Sequence, residues 1–275
     1  MVVLITGCRS GFGLLAAVEA ARRGHIVYAG LRDVATAPEA LRAERITPIQ
    51  LEVTQEADRN AAVAKILAEH GRIDALVNNA GITLGGFLEQ IDDDELRRLY
   101  EVNAIGPFAL TKAVLPSMRE RRDGVVIMVS SMAGRFPFPG IGAYASSKWA
   151  LEGMSEVWRH ELGAWGIRVA IVEPGPYRTE MLAGNRAFGR RATDPASPWA
   201  AMVRRLQELE QAGSARLAGD PMDVARRIVD LIESPRPRLR HPMGRTTFVR
   251  EVLRRLAPFW LIEALVRRLV RLPTP

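Results

Sequence analysis

The chain opens with the run Val2-Val3-Leu4-Ile5-Thr6-Gly7-Cys8-Arg9-Ser10-Gly11-Phe12-Gly13. Its first residues are apolar and typical of a buried strand, and a helical pattern follows over Leu14–Arg23. The glycines between them allow a tight turn and a close approach of a ligand to the backbone, while a helix N-terminus favours phosphate. Taken alone, the glycines fit a purely structural turn as well. Their position between a strand and a helix predicts a βαβ unit that binds a dinucleotide.

Short apolar runs alternate with helical patterns along most of the chain. Because these runs are continuous, they predict a mostly parallel sheet that helices cover on both faces. Right-handed crossovers then give a doubly wound α/β fold. The predicted strands are Val2–Ile5, Ile26–Ala29, Ile46–Leu51, Ile73–Val77, Val125–Val129 and Val169–Val172. The predicted helices are Leu14–Arg23, Glu56–His70, Asp92–Arg119, Ala143–Ala164, Pro198–Gln211 and Pro221–Glu233.

No repeat or linker divides the chain, so we predict a single domain over residues 1–275. Residues 235–275 are expected to form its basic, amphipathic and helical C-terminal extension. Apolar residues recur there at spacings near three and four over Phe248–Leu272, with arginines between them, and Pro258 should break the pattern into two helices. Such a face suits the surface of an anionic membrane, a subunit interface or a lid on the protein.

The net charge of +7 is concentrated in this extension. Residues 235–275 hold ten arginines and two glutamates, which leaves 28 basic and 29 acidic residues in the rest of the chain. Because the body is neutral and shows no nucleic-acid-binding motif, we expect no nucleic-acid partner.

The remaining composition bears on the compartment. No apolar run reaches the roughly 20 residues that cross a bilayer, and no signal peptide is indicated. The single Cys8 cannot form an intramolecular disulfide, which fits a reducing cytoplasm. We interpret Cys8 as a small residue that fills the turn, with a reactive thiol as the alternative.

The second predicted strand runs into Leu31-Arg32-Asp33. An acidic residue in this region accepts hydrogen bonds from the 2′-hydroxyl of an adenosine ribose, whereas an arginine meets a 2′-phosphate. Arg32 therefore favours NADP(H), with Arg9 as a second cation, and Asp33 leaves NAD(H) as the alternative.

Tyr144 and Lys148 lie four residues apart in a predicted helix, and Ser131 precedes Tyr144 by thirteen residues. Residues at i and i+4 share one helix face, so the Lys148 ammonium can approach the Tyr144 phenol. A nearby cation favours the phenolate and prepares the tyrosine for proton exchange with an alcohol or carbonyl. The Ser131 hydroxyl can hold the same oxygen. The pair alone is common at surfaces, so the prediction depends on the accompanying motifs.

Five motifs in order resemble those of the short-chain dehydrogenase/reductase family over residues 2–235. The resemblance implies a Rossmann fold and an NADP(H)-dependent oxidoreductase. The matching segments are Thr6–Gly13 (Thr-Gly-x-x-x-Gly-x-Gly in the family), Asn78-Asn79-Ala80-Gly81, Asn103, the set Ser131, Tyr144 and Lys148, and Pro174-Gly175-Pro176-Tyr177-Arg178-Thr179. The sequences of the first turn and of Tyr28–Asp33 resemble those of the retinol and 17β-hydroxysteroid dehydrogenase branch.

The resemblance also implies a role for each residue. Tyr144 would be the general acid/base, Lys148 would lower its pKa and hold the nicotinamide ribose, and Ser131 would orient the substrate oxygen. Ser130 is the weaker candidate for that role, since its spacing to Tyr144 is one residue too long. Asn103 would hold a water that relays protons to Lys148, or be a structural residue that bends its helix.

The family pattern extends to the cofactor. Asn79 is expected to be structural, while Ala80 and Gly81 let the ribose approach the backbone, and Thr179 would bond the carboxamide or diphosphate. Glu52-Val53 departs from the family's Asp-Val, so the contact of Glu52 with adenine is less well specified. The residues expected at the cofactor are Gly7, Arg9, Ser10, Gly11, Phe12, Gly13, Arg32, Glu52, Val53, Asn79, Ala80, Gly81, Tyr144, Lys148, Pro174, Gly175, Tyr177 and Thr179; no metal ligand is expected.

Apolar residues around the catalytic positions favour a lipophilic substrate, such as a steroid, a retinoid or a similar ketone or aldehyde. The candidate pocket residues are Phe136, Pro137, Phe138, Pro139, Ile141, Trp149, Met181, Leu182, Phe188 and Trp199, each of which fits ordinary core packing equally well. A 3-oxoacyl-carrier-protein reductase is the alternative enzyme, and a non-catalytic NADP(H)-binding sensor or scaffold is the alternative of another class. A homo-oligomer, dimer or tetramer, is expected, and the C-terminal extension suggests peripheral contact with a membrane.

Overall fold

Seven parallel strands form the central sheet of the protein, in the spatial order β3-β2-β1-β4-β6-β7-β9. The coordinates are a computed structural model that describes residues 1–180, 187–244, 247 and 256–270, with side chains of residues 210–217 excepted. The strands are β1 (Val2–Thr6), β2 (Ile26–Leu31), β3 (Ile46–Gln50), β4 (Ala75–Asn78), β6 (Gly124–Val129), β7 (Ile167–Pro174) and β9 (Arg240–Met243), and a separate parallel pair consists of β5 (Leu84–Gly85) and β8 (Ala187–Phe188).

Helices cover both faces of this sheet, as the sequence predicted. The helices are α1 (Gly11–Arg22), α2 (Glu56–His70), α3 (Asp93–Tyr100), α4 (Gly106–Arg121), α5 (Gly142–Gly163), α6 (Ala200–Leu217), α7 (Pro221–Glu233) and α8 (Phe259–Val270). Among the described residues, no helix is long and apolar enough to cross a membrane.

Successive residues of β1 show how the two layers form. Val3 and Ile5 belong to the core on the side of α1 and α7, whereas Val2 and Leu4 belong to the core on the side of α2, α4 and α5. All four are at most 5% exposed. Because side chains alternate across a strand, a strand that is buried on both faces needs a continuous apolar run. This confirms the doubly wound α/β prediction.

The seventh strand, β9, corrects the prediction for the C-terminal segment. Residues 235–275 were expected to be a helical extension, but Arg240–Met243 pairs in parallel with β7, Ile171 opposite Arg240 and Pro174 opposite Met243. The residues Arg-His-Pro-Met have no strand-like pattern, and Pro242 is tolerated because β9 is an edge strand. Only the neighbouring strand β7 makes this segment extended.

The predicted helix Asp92–Arg119 is also different in the structure. A π-helical turn, Glu101–Ile105, separates α3 from α4. Such turns widen a helix locally and often occur at functional sites. Farther along, α8 begins directly after Pro258, as predicted, whereas the first half of the predicted helical pattern, residues 248–255, lies outside the described residues.

Candidate active site

A cavity of about 690 Å³ lies at the carboxyl ends of β1, β2, β4 and β6, where ligands bind in doubly wound folds. Most of the predicted site residues line it. These are Gly7, Arg9, Ser10, Gly11, Phe12, Arg32, Glu52, Val53, Asn79, Ala80, Gly81, Tyr144, Lys148 and Thr179. The predicted residues that do not line it are Gly13, Asn103, Ser131, Pro174, Gly175 and Tyr177.

The glycine turn needs its glycines for two different reasons. Gly7 and Gly11 have φ angles of +71° and +59°, which other residues rarely adopt. At Gly7 a Cβ would also lie 2.8 Å from the Cα of Ala80, and at Gly13 a Cβ would lie 2.4 Å from Asn79 Nδ2. Gly13 therefore serves packing between the turn and the loop after β4, and does not face the cavity.

The N-terminus of α1 is open towards the cavity. Ser10 occupies the N-cap position, and its side chain makes no capping hydrogen bond. The first amides of a helix have no partner within the helix, and they carry the positive end of its dipole. Ser10 and Gly11 line the cavity, so a phosphate placed there would meet these amides.

Asn79 connects the loop after β4 to the loop after β1 through hydrogen bonds. Its Nδ2 donates to the carbonyl oxygens of Thr6 and Gly7, at 2.8 and 3.2 Å. The amides of Asn79 and Ala80 both donate to Thr6 Oγ1 at 2.9 Å. These bonds hold the Asn-Asn-Ala-Gly segment against the glycine turn, the structural role that was expected for Asn79.

The part of the cavity next to the end of β2 is rich in cations. Arg9 and Arg32 are exposed, and neither guanidinium has a hydrogen bond or ion pair within the described part of the chain. Asp33 accepts a hydrogen bond from the Ala35 amide at 2.9 Å and caps a 3-10 turn. The two cations are thus available to an anion, while the carboxylate of Asp33 is already engaged.

Arg98 was not predicted as a site residue, although it lines this end of the cavity. It lies on α3 and donates to Thr54 Oγ1 at 3.2 Å and to Glu52 Oε2 at 3.5 Å. Glu52 is therefore held by a cation, and Val53 is buried beside it. An arginine on a polar helix face carries no sequence signal for this contact, since it depends on how α3 packs.

Tyr144 and Lys148 meet on α5, as the spacing predicted. The Lys148 Nζ atom lies 5.9 Å from the centre of the Tyr144 ring and donates to the Val129 carbonyl oxygen at 3.0 Å. Lys148 is only 4% exposed. Burial lowers the pKa of Lys148 to about 8, and the nearby Glu152 carboxylate opposes this shift. A cation beside the phenol stabilises the phenolate and suits proton exchange.

Asn103 lies in the π-helical turn and is fully buried. Its Nδ2 donates to the Ile82 carbonyl oxygen at 2.9 Å and to Ser147 Oγ at 3.0 Å, and its Oδ1 accepts from the Ile82 amide at 2.9 Å. A Cβ at Gly81 would lie 3.3 Å from Asn103 Oδ1 and 3.4 Å from Lys148 Nζ. The structure thus brings Asn103, Gly81 and Lys148 together, with the Asn103 side chain fixing the loop.

The two candidate serines have different surroundings. Ser131 caps the 3-10 turn Met132–Gly134, and its Oγ accepts from the Ala133 amide at 3.1 Å. Ser130 lines the cavity and its Oγ donates to Glu152 Oε1 at 2.7 Å. Because the Ser130 hydroxyl already donates its hydrogen to a buried carboxylate, it is less suited than Ser131 to donate a hydrogen bond to a substrate oxygen.

The segment after β7 has both buried and cavity-facing residues. The Gly175 amide donates to the Met243 carbonyl oxygen at 2.8 Å. Tyr177 is 5% exposed, and its ring packs edge-on against Phe12 with centroids 5.7 Å apart. Thr179 lines the cavity, and a Cβ at Gly11 would lie 3.7 Å from its methyl group. Thr179 is therefore the member of this segment that lines the cavity.

The predicted apolar pocket residues are only partly placed. Phe136 is buried, the Trp149 indole donates to the Ala133 carbonyl oxygen at 3.2 Å, and Trp199 stacks on Phe87 with centroids 4.5 Å apart. Met181 and Leu182 lie outside the described residues. The described part of the chain contains no cluster of side chains suited to a metal ion. Burial raises the pKa of the Cys8 thiol, which makes this cysteine a packing residue.

An open glycine turn next to a tyrosine–lysine pair, both at a cavity beside the carboxyl ends of a parallel sheet, is the architecture of a dinucleotide-dependent oxidoreductase. The family model described as short chain dehydrogenase matches residues 1–188. The chain belongs to this family, and it is an oxidoreductase that acts on CH–OH and C=O groups with a nicotinamide dinucleotide.

Individual relatives agree with this assignment. The uncharacterized oxidoreductase YusZ of Bacillus subtilis is 33% identical over 97% of this chain and 97% of its own length. Human retinol dehydrogenase 8 is 36% identical over 86% of this chain and 79% of its own length. The crystal structure of a short-chain dehydrogenase from Streptomyces avermitilis has a TM-score of 0.82 and 35% identity, covering 97% of this chain and 95% of its own. The resemblance to this family and branch is confirmed.

Proposed function

We propose that the protein is an NADP(H)-dependent oxidoreductase that interconverts a carbonyl and an alcohol on a lipophilic substrate, a steroid, a retinoid or a similar ketone or aldehyde. The observation that carries the proposal is the buried Lys148 ammonium beside Tyr144 in the wall of the cavity. Arg9 and Arg32 support NADP(H), because a 2′-phosphate would bring the counter-charge that both guanidinium groups lack.

The residues present fit such a cofactor. Ser10 and Gly11 line the cavity at the N-terminus of α1, and its open amides would hold the diphosphate. The bound nicotinamide supplies the hydride. Lys148 would hold the nicotinamide ribose, and Arg9 and Arg32 would hold the 2′-phosphate of the adenosine.

For reduction, the protein's part is to hold an oxygen and move a proton. The Tyr144 hydroxyl binds the carbonyl oxygen, and Ser131 Oγ donates a second hydrogen bond to it. As hydride reaches the carbon, the oxygen gains negative charge and takes the proton of Tyr144. The Lys148 ammonium stabilises the phenolate that remains. Oxidation reverses each step, with the phenolate as the base.

The lipophilic substrate class is supported by the side chains near the catalytic helix. The Trp149 indole donates to the Ala133 carbonyl oxygen in the turn that follows Ser131, Phe136 is buried two residues after that turn, and Phe87 and Trp199 form a stacked aromatic pair. Human retinol dehydrogenase 8, which is named for a lipophilic alcohol, is a relative over 86% of the chain. Sugars would instead need several polar side chains at the site.

A turnover panel tests this function. The purified protein is assayed with retinoid, steroid and acyl-thioester carbonyls, each with NADPH and with NADH. We expect multiple turnovers with at least one retinoid or steroid and a preference for NADPH. Turnover confined to acyl thioesters would favour the carrier-protein reductase, and cofactor binding without any turnover would favour the sensor or scaffold.

We also propose that α8 contacts an anionic membrane surface. Phe259, Trp260, Leu265 and Leu269 are between 51% and 78% exposed, and Arg267 and Arg268 lie on the same helix. Amphipathic helices with aromatic residues and arginines bind anionic lipid through both apolar burial and charge.

Vesicle sedimentation checks the membrane proposal. The double variant Phe259→Ser/Trp260→Ser should bind vesicles of phosphatidylcholine and phosphatidylserine about tenfold more weakly than the unaltered protein. Leu88→Ser, which removes an apolar side chain that is 65% exposed elsewhere, is the control and should bind normally. Equal binding by all three proteins, or none by any, would contradict the proposal.

We further propose that the protein is a homo-oligomer, a dimer or tetramer, that associates through α4 and α5. Phe108 is 38% exposed and stacks on Trp158, with centroids 5.4 Å apart, and Val157, which precedes Trp158 in the chain, is 52% exposed. Exposed apolar side chains that lie together are typical of an interface.

Analytical ultracentrifugation tests the oligomer proposal. Val157→Asp should lower the oligomeric state, whereas the control Leu88→Asp should leave it unchanged. If the unaltered protein sediments as a monomer, this proposal is excluded.

A further inference from the structure

A buried group of charges lies behind the turn that holds the two serines. Glu152 on α5 is 3% exposed, Glu173 on β7 is 2% exposed, and Arg240 on β9 lies between them. Arg240 Nη1 donates to Glu152 Oε2 at 2.7 Å and also to Glu173 Oε1. Buried charges are costly unless they are paired, and here two buried carboxylates share one arginine whose side chain is 17% exposed.

Glu152 connects this group to the catalytic turn. Its Oε1 accepts from Ser130 Oγ at 2.7 Å, and Ser130 directly precedes Ser131. The turn closes tightly over the carboxylate, since a Cβ at Gly134 would lie 2.4 Å from Glu152 Oε1 and 2.8 Å from Ser130 Oγ. The orientation of the Ser130–Ser131 backbone therefore depends on this hydrogen bond.

Glu152 also lies one helical turn after Lys148, on the same face of α5. Lys148 donates to the carbonyl oxygen of Val129, the last residue of β6, and Glu152 accepts from Ser130, the next residue. The lysine and the glutamate therefore both bind the carboxyl end of β6. The negative charge of Glu152 acts on the Lys148 ammonium, whose burial otherwise favours the neutral amine.

Several other titratable groups surround Glu152. Burial and the charge of Glu152 raise the pKa of Glu173 to about 7, so the two carboxylates repel each other across the arginine. The titratable and charged groups that face Glu152 and Lys148 from the elements packed around them are Tyr144 and Glu156 on α5, Glu173 on β7, Arg240 on β9 and Arg135 after the 3-10 turn.

We propose that Glu152 is a positioning residue, which Arg240 holds in place, that orients the Ser130–Ser131 turn and supplies the negative charge that stabilises the Lys148 ammonium. The proposal rests on the proposed function, since it assigns Lys148 and Ser131 their roles in proton exchange. The arginine comes from the edge strand β9, so the last strand of the sheet supports catalysis without touching the cavity residues Tyr144 or Lys148.

The direction of the effect follows from the charge. In Glu152→Gln the ammonium loses its neighbouring negative charge, so Lys148 becomes neutral at a lower pH than in the unaltered protein. The high-pH limb of the kcat profile should therefore move down by about one pH unit, and kcat near pH 8 should fall about fivefold. KM for the substrate should change less than kcat, because the carboxylate lies behind the turn.

The experiment measures kcat and KM against pH for the unaltered protein, Glu152→Gln and Glu156→Gln, with the best carbonyl of the turnover panel and NADPH. Glu156 is the matched control, because it lies on the same helix and binds the same Arg240, but its side chain is 49% exposed and has no bond to Ser130. Glu156→Gln should keep the pH profile of the unaltered protein.

A shifted limb in Glu152→Gln alone supports the proposal, and an unshifted limb, or an equal shift in both variants, overturns it. If Glu152→Gln does not fold, Ser130→Ala decides. That variant should lower kcat several-fold at an unchanged KM for NADPH, and an unchanged kcat would overturn the proposal. Failure of the proposed function looks different, since the unaltered protein would then show no turnover at any pH.

Discussion

Replacing Tyr144 by Phe is expected to lower kcat by about 10³-fold, because the only group lost is the hydroxyl that exchanges the proton. The ring stays in place beside Lys148, whose Nζ lies 5.9 Å from its centre. Binding of NADPH should be almost unchanged, since Arg9, Arg32 and the glycine turn are untouched. Steady-state assays give kcat, and titration of NADPH fluorescence gives the dissociation constant.

Tyr28→Phe is the control for this substitution. It also removes a tyrosine hydroxyl, but one that bonds Glu69 and His70 at the end of α2, and none of these three residues lines the cavity. We expect Tyr28→Phe to have normal kcat at a temperature where it is folded. Undiminished turnover by Tyr144→Phe would exclude the assignment of Tyr144 as the acid/base, and equal loss in both variants would point to a folding defect.

The second large effect is expected at the adenosine end of the cavity. In the double variant Arg9→Ser/Arg32→Ser, kcat/KM with NADPH should fall by about 10²-fold, since each charge-assisted hydrogen bond to a phosphate contributes about 1.5 to 3 kcal/mol before screening by solvent. With NADH the same ratio should change less than about threefold, because this cofactor has no 2′-phosphate. Both ratios come from initial rates with one carbonyl substrate.

The control for the arginines is Arg42→Ser, which removes an exposed arginine that pairs with Glu39 away from the cavity. It should leave both cofactor ratios unchanged. If NAD(H) is the cofactor instead, two results are expected. The unaltered protein should then have the higher kcat/KM with NADH, or the double variant should show a substantial fall in kcat/KM with NADH. Either result would show that Asp33 rather than Arg32 determines the choice, despite its bond to the Ala35 amide.

Local patterns predicted the elements that build the cavity. The run Val2–Arg23 has an apolar stretch, then glycines, then a helical pattern, and the structure shows β1, the open turn and α1 in that order. Tyr144 and Lys148 meet because four residues make about one turn of any α-helix. These features depend on neighbours in the chain, so the sequence specifies them directly.

Features that depend on distant segments were missed or misplaced. The four residues of β9 have no strand pattern and become extended only by pairing with β7. The predicted single helix Asp92–Arg119 is interrupted at Asn103, where the side chain bonds Ile82 and Ser147. No local spacing predicts a π-helical turn whose reason is a contact with another loop.

The sequence by itself determined the doubly wound fold, the phosphate-binding turn and the tyrosine–lysine pair, because each depends on a short periodicity or on residues a few positions apart. Only the tertiary structure decided that Arg98 meets Glu52 and that Arg240 lies between Glu152 and Glu173. Arg240 and Glu152 are 88 positions apart in the chain. Their contact arises because the parallel sheet and the helices over it bring remote segments together. The order of the strands in the sheet cannot be inferred from the types of these side chains alone.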